Sequence, residues 1–298
     1  MSTGVLLMTY GAPSSDEDLP RYLSVVRGGR PVDDELVAEM RRRYARIGGS
    51  PLIRITREQA RALEAELGAG HVAAAGMRYS PPSIADGARD VVSRGAERIV
   101  GICMSPQWSP LLMNGYRRDL EAAAASLGVP AVMAGAWYAE AAFVASIAAK
   151  VREALRERDS VVVLTAHSLP KRVFESEPGY IAQLRETGEL VARAAGLRDG
   201  RWHWAYQSAG HTQEEWLRPD LVELFPGIAP AGERDVLVVP VQFLADHLEV
   251  LYDLDVAAGE QARAAGLAYR RIEMPNASPS FIRALADVVR RSEVAAAA

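Results

Sequence analysis

Cysteine is almost absent: Cys103 stands alone in 298 residues. One thiol excludes an intrachain disulfide framework and any all-cysteine iron–sulfur cluster held within one chain. It points to a reducing compartment, and by itself it reads as a small buried hydrophobe. A basic domain is also missing. Lys and Arg number 34 against 38 Asp and Glu, a formal charge of −4 with the signs interleaved, so nucleic-acid binding has little support. No G-x-G-x-x-G follows the first apolar run, which leaves nucleotide binding unsupported. The opening run Gly4–Met8 is too short for a secretory signal core and no basic residue precedes it. Residues 122–139 carry no charge over 18 positions, a length that invites a membrane span. The run is broken by Leu127-Gly128-Val129-Pro130, so it reads instead as a helix end, a turn and a buried strand. The expectation is a cytoplasmic chain with no integral membrane segment.

What is present is enough apolar material for a core. Hydrophobic residues make up 49% and charged residues 24%, which excludes disorder for most of the chain. Short apolar runs recur at Gly4–Thr9, His71–Tyr79, Arg98–Ser105, Ala131–Trp137, Ser160–Ala166, His203–Gln207, Asp235–Phe243 and Ala268–Met274. Most are continuous rather than alternating, as strands buried on both faces require. Amphipathic stretches such as Arg57–Leu67, Pro82–Arg94, Ala139–Arg156 and Tyr180–Ala195 lie between them. The alternation predicts an α/β fold. The two halves rhyme: Ile102–Trp108 and Val238–Phe243 each carry a Gln-aromatic pair after a buried strand. Hence the expectation of two similar Rossmann-like domains, each a four-stranded parallel sheet flanked by helices. The boundary falls near Arg156–Asp159, giving domains 1–156 and 157–298. The final helix, 278–293, is expected to pack back on the first domain, and the tail 295–298 to fray.

In open α/β sheets ligands bind beyond the carboxyl ends of the strands, and with two domains the cleft between them is the default site. Four groups of residues follow strands or sit near such loops. Tyr10-Gly11-Ala12-Pro13 makes a tight loop with an exposed phenol, or simply a turn with a packed tyrosine. His167, in Ala166-His167-Ser168-Leu169-Pro170, has a side chain suited to taking protons or binding metal near neutral pH. It is otherwise structural, because no H-x-x-x-H partner completes a zinc site. Asp246, Glu249 and Asp253, spaced i, i+3 and i+7, share one face of an α-helix. That face is either solvated or a track of hard ligands for a divalent cation or a proton relay. Arg27-Gly28-Gly29-Arg30, Arg41-Arg42-Arg43 and Gly48-Gly49-Ser50-Pro51 supply mobile loops and guanidinium forks for carboxylates, or a solvated helix face. Together they suit a flat acidic ligand and a metal ion.

The order of these motifs resembles the ferrochelatases, most closely the soluble bacterial coproporphyrin ferrochelatases. The likeness runs from Leu6–Pro13 through Gly48-Gly49-Ser50-Pro51-Leu52, Gln207-Ser208 and Trp216-Leu217-Arg218-Pro219 to Pro275-Asn276. Its most specific part is Ala166-His167-Ser168-Leu169-Pro170 together with the stretch Phe243–Asp253. The resemblance implies insertion of Fe²⁺ into coproporphyrin III to give coproheme, with release of two pyrrole protons. It makes His167 the active-site histidine and Glu249 its acidic partner. It makes His167, Glu249 and Asp253 the groups that meet the metal, and Tyr10 the tyrosine facing the metal of the product. Arg27, Arg43, Ser50 and Tyr116 fall where that group binds porphyrin propionates. Ala257 departs from relatives that extend the acidic track. No intrinsic cofactor and no iron–sulfur cluster are expected, and a monomer is. The alternatives are a protoporphyrin IX ferrochelatase, a cobalt or nickel tetrapyrrole chelatase of the same fold, and a non-catalytic protein that closes on haem or a small anion. For the second, His247 is the nearby extra histidine, and it is expected to lie off the Asp246/Glu249/Asp253 face.

Overall fold

A computed structural model describes residues 2–210, 214–229 and 232–297. The first sheet contains β1 (Thr3–Thr9), β2 (His71–Met77), β3 (Arg98–Cys103) and β4 (Ala131–Met133), in the order β2-β1-β3-β4. The second contains β5 (Val161–His167), β6 (Trp202–Gln207), β7 (Asp235–Pro240) and β8 (Ala268–Arg271), in the order β6-β5-β7-β8. Every pairing is parallel, so the halves repeat one topology. β1 is buried along its whole length. In register, Val5 sits between Ala73 and Val100, and a strand with neighbours on both edges and helices on both faces has no use for a polar face.

The helices are α1 (Leu19–Val26), α2 (Asp34–Ile47), α3 (Leu52–Leu67), α4 (Ile84–Ser93), α5 (Pro110–Leu127), α6 (Ala141–Glu157), α7 (Lys171–Ser176), α8 (Pro178–Ala195), α9 (Leu221–Ile228), α10 (Gly259–Ala264) and α11 (Pro279–Ala297). A π-helix occupies Glu249–Ala258. Local signals set several ends. Ser83 and Asp86 form a capping box at the start of α4, and Ser109 accepts the backbone N–H of Leu112 at the start of α5. The uncharged run 122–139 divides as its composition requires: α5 ends at Leu127, Gly128 takes the left-handed conformation, and β4 follows. β4 has only three residues and is half-buried, shorter than the expected Ala131–Trp137, because it is an edge strand with β3 as its sole partner. Among the described residues no helix is long and apolar enough to cross a membrane.

One hydrophobic core threads both halves. It joins Val5, Leu7, Val100 and Ile102 of the first sheet to Val162, Leu164, Leu237 and Val239 of the second through α6 and α11. At its centre the rings of Trp137, Phe143 and Phe281 meet, with Trp137–Phe143 centroids 5.1 Å apart. α11 packs against α3 and α6. Its Glu293 accepts from Thr3 Oγ1 and from Arg98, each at 2.7 Å. The helix continues past the expected end at Glu293 to Ala297, and residue 298 of the tail lies outside the described residues.

Candidate functional site

Segments that follow strands in the two halves meet. On one side they are tied by Gln107 donating to Thr187 at 2.9 Å and by the Trp108 N–H donating to Gln183 at 2.7 Å. On the other, α2 lies against the π-helix, and Arg43 Nη1 stands 3.5 Å from Asp253 Oδ1. The cleft between these ties collects most of the residues expected there.

His167 is the last residue of β5. Its Nδ1 is hydrogen-bonded to the Ser168 carbonyl. A carbonyl only accepts, so Nδ1 carries a proton and Nε2 is the ring nitrogen turned toward the cleft. That nitrogen stands 3.7 Å from Glu249 Oε1. The second oxygen of Glu249 stands 3.5 Å from Nε2 of His247, whose Nδ1 donates to the Ala245 carbonyl at 2.9 Å. His247 packs edge-on to Phe243 with centroids 4.5 Å apart, and Phe243 is likewise edge-on to His167 at 6.5 Å. Burial works to raise the Glu249 carboxyl, but the neighbouring His167 and the bond from His247 overcome it, holding the acid down at about 2. Burial works to lower His247, and its bond to Glu249 outweighs that, so His247 lies above the ordinary histidine range.

The acidic residues depart from the expected arrangement. They do not share an α-helical face, because the segment is a π-helix that begins only at Glu249. Glu249 and Asp253, four apart, still share a face in its wider turn, closed by i→i+5 bonds, as they would in an α-helix. Asp246 lies before it and is used structurally: it accepts from Arg271 at 3.0 Å and from Asn276 at 2.8 Å. His247, expected off this face, meets Glu249 directly. Ala257 takes the next place on the track and ends it. Nor do His167, Glu249 and Asp253 close into one metal cage: among the described residues no three His, Cys, Asp or Glu side chains are grouped to hold an ion. The arrangement is an open grip of one imidazole nitrogen and one carboxylate, a spacing that a divalent ion bound about 2 Å from each could bridge. Such a grip suits an ion in transit. Asp253 is pushed up by burial and by Glu249, against the pull of Ser208 and Arg43.

Tyr10 ends β1's run into the cleft, 45% exposed, with its ring 4.5 Å from that of Tyr79. Burial and the nearby Tyr79 and Glu249 hold its phenol neutral. Gly11 makes this possible: its φ is +100° and an added Cβ would lie 2.3 Å from Ser80 Oγ. Arg43 is mostly covered, bonded to Glu39 at 2.8 Å and stacked on the Tyr252 ring at 5.0 Å. Arg27 is exposed at the end of α1. Ser50 is half-buried and accepts the Leu52 N–H at 3.4 Å. Tyr116 is buried, and the guanidinium of Arg78 lies 5.3 Å from its ring and 4.9 Å from that of Tyr79. Gly115 is the reason Arg78 fits, since a Cβ there would overlap the guanidinium. Arg78 was not expected in the site. Its signal was available: it directly follows β2, as Tyr10 follows β1. Gln242 was also missed. It lies within the expected strand Asp235–Phe243, but β7 stops at Pro240.

Comparison with known proteins gives the family. The family profile described as Ferrochelatase matches residues 2–293. A protein of Deinococcus radiodurans named Ferrochelatase is 36% identical over 97% of this chain and 95% of its own length. Two proteins named Coproporphyrin III ferrochelatase, from a Geobacillus species and from Bacillus subtilis, are 37% and 35% identical, covering 96% of both chains in each case. Among solved structures, SirB from Bacillus subtilis with Fe3+ superimposes with a TM-score of 0.62 at 11% identity, covering 98% of this chain and 96% of that one. CbiX, the terminal enzyme for siroheme biosynthesis in denitrifying bacteria, gives 0.60 at 12% identity, covering 98% and 99%. At such identities these two structures attest the fold alone.

Proposed function

The chain belongs to the ferrochelatase family, and from that premise we propose that it inserts ferrous iron into coproporphyrin III, giving coproheme in haem biosynthesis. The observation that carries the reading is Glu249 at the cleft between two imidazoles, with Nε2 of His167 3.7 Å from one of its oxygens and Nε2 of His247 3.5 Å from the other. Insertion exchanges one Fe²⁺ for two pyrrole protons, so the site must present a base and an anionic handle together. An acid held at about 2 is a weak base and a permanent anion near neutral pH. Glu249 therefore attracts the cation, and His167 Nε2 takes a pyrrole proton. Asp253, on the same face of the π-helix, continues the acidic path outward. Tyr10, neutral and exposed across from Glu249, offers a hydroxyl oxygen to the metal of the product.

The propionates are the basis of substrate choice. Coproporphyrin carries four and protoporphyrin two. Arg43, Arg27, Ser50 and Tyr116 are the proposed anchors, with Arg78 beside Tyr116. The same reading makes the protein a cytoplasmic monomer with no resident cofactor and no iron–sulfur cluster. In support, the sequence holds one thiol, buried in the core, and one thiol does not make a cluster within one chain.

Anaerobic metallation with Fe²⁺, run with both porphyrins in one buffer and with detergent controls, tests the substrate. A charge-assisted hydrogen bond contributes roughly 1.5–3 kcal/mol, so losing two should lower kcat/KM by about two orders of magnitude or more for protoporphyrin IX. Equal values, or a preference for protoporphyrin, would refute the assignment.

A further inference from the structure

We propose that Gln242 is a positioning residue for His167, acting as a side-chain extension of the second sheet; the inference rests on the role given to His167 above. β5 outruns its neighbour. The β5–β7 register ends at Thr165 opposite Pro240, and the last rung is the Val241 N–H donating to the Thr165 carbonyl at 3.0 Å. β7 then turns away, while β5 continues through Ala166 to His167. The backbone N–H of His167 would have no strand left to bond. The Gln242 side chain supplies the missing acceptor: its Oε1 receives that N–H at 2.8 Å. A primary amide has two ends, and the second is also used. Nε2 donates to the hydroxyl oxygen of Tyr180 at 2.7 Å.

The orientation of the amide follows from the partners. A backbone N–H can only donate, so it must meet the amide oxygen. The Tyr180 hydroxyl accepts from the NH₂ end, and reversing the amide would set two donors against each other at His167. Tyr180 is itself fixed: it is 2% exposed near the start of α8, and burial keeps its phenol in the neutral form. A chain of two hydrogen bonds thus runs from α8 through the end of β7 to the end of β5. It finishes on the residue whose Nε2 faces Glu249. The backbone of His167 is gripped on both sides, because the next residue's N–H donates to the Gln207 carbonyl at 2.7 Å. With the peptide fixed and Nδ1 committed to the Ser168 carbonyl, little freedom remains to swing Nε2 away from the cleft. Gln242 need not touch the substrate to matter, since small misplacements of a catalytic group carry large rate costs.

Gln242→Met keeps the length of the side chain and removes both hydrogen bonds; Gln242→Glu keeps an acceptor for His167 N–H, and the Tyr180 hydroxyl can donate to it. Steady-state iron insertion into coproporphyrin III, under anaerobic conditions, should show kcat lowered roughly tenfold in Gln242→Met, the size expected from losing the hydrogen bond that reaches His167, with the porphyrin KM changed less than twofold. Gln242→Glu should recover at least half of that loss. A normal kcat in Gln242→Met, a change confined to KM, or an equal loss in both variants would overturn the proposal. If Gln242→Met does not fold, Tyr180→Phe serves instead: it should lower kcat in the same direction, and an unchanged kcat would count against the proposal. Wild-type protein and His167→Ala are run alongside. Wild-type turnover that His167→Ala abolishes, with Gln242→Met unaffected, refutes the positioning role alone. No wild-type turnover, or none lost in His167→Ala, refutes the reading on which it rests.

Discussion

Glu249 illustrates how one side chain can be tuned by what surrounds it. Its burial alone would favour the neutral acid, yet the imidazoles on either side hold it ionised. The linkage has two limbs. Glu249 is depressed in the folded state, so its contribution to stability is present above the ordinary carboxylate range and is lost as pH falls toward about 2. His247 is raised, so its contribution is complete below about 6.5, the ordinary histidine value, and is lost as pH climbs through the folded value. The pair therefore stabilises most in mildly acidic solution. Glu249→Gln removes the anion, and the His247 midpoint should fall, as read from the ring Cε1–H resonances in a metal-free NMR titration. An unchanged midpoint would mean that Glu249 does not set it. Residues of this kind were legible as types rather than as partners. His167 and the acidic set Asp246, Glu249 and Asp253 stood out because each follows a strand, and the family resemblance singled out Glu249 among the three. That His247 shares the carboxylate was hidden, because α-helical spacing assigns it to another face.

At the scale of elements, the π-helix explains that failure. Period counting assumed an α-helix from Asp246, whereas the helix starts at Glu249 and turns more widely. Asp246 is held out of it by Asn276, which accepts the Asp246 N–H at 2.9 Å and donates back to its carboxylate at 2.8 Å. Asn276 also takes a left-handed backbone, with φ of 46°, which asparagine tolerates better than most residues. Asn276→Ala should therefore destabilise the protein by about 1–3 kcal/mol, since it leaves the Asp246 N–H without its acceptor and removes one of the two donors to its carboxylate, Arg271 remaining. Urea unfolding with an unchanged slope would measure it, and a loss under about 0.5 kcal/mol would fall within ordinary surface effects. The strands, in contrast, were almost fully legible. Runs such as Val161–Leu164 and Val236–Val239 are buried on both faces, so their composition reports their environment. β4 and the end of β7 were overextended, because apolar sequence continues past the point where hydrogen-bonding partners run out.

The whole molecule is two copies of one sheet topology joined through a shared core. That repeat was visible in the rhyming Gln-aromatic pairs; the continuity of the core across α6 and α11 was not, because composition does not say which buried faces meet. The consequence for function is geometric. His167 on β5 and Glu249 on the π-helix belong to the same half and meet there; the other half brings Tyr10, just after β1, within reach of the Glu249 charge and sets Arg43 on α2 beside Asp253. In the proposed function this imidazole and carboxylate carry out metal insertion. The most direct measurement is single-turnover incorporation of Fe²⁺ into bound coproporphyrin III, followed anaerobically by absorbance, in wild-type protein, His167→Ala and Glu249→Gln. Porphyrin binding is measured on the same samples by fluorescence quenching. Both variants should bind porphyrin within a few-fold of wild type and lose at least about two orders of magnitude in the insertion rate, the lower range for removing a proton-transfer group. Insertion at near-normal rate in either variant, with porphyrin bound, would contradict that role.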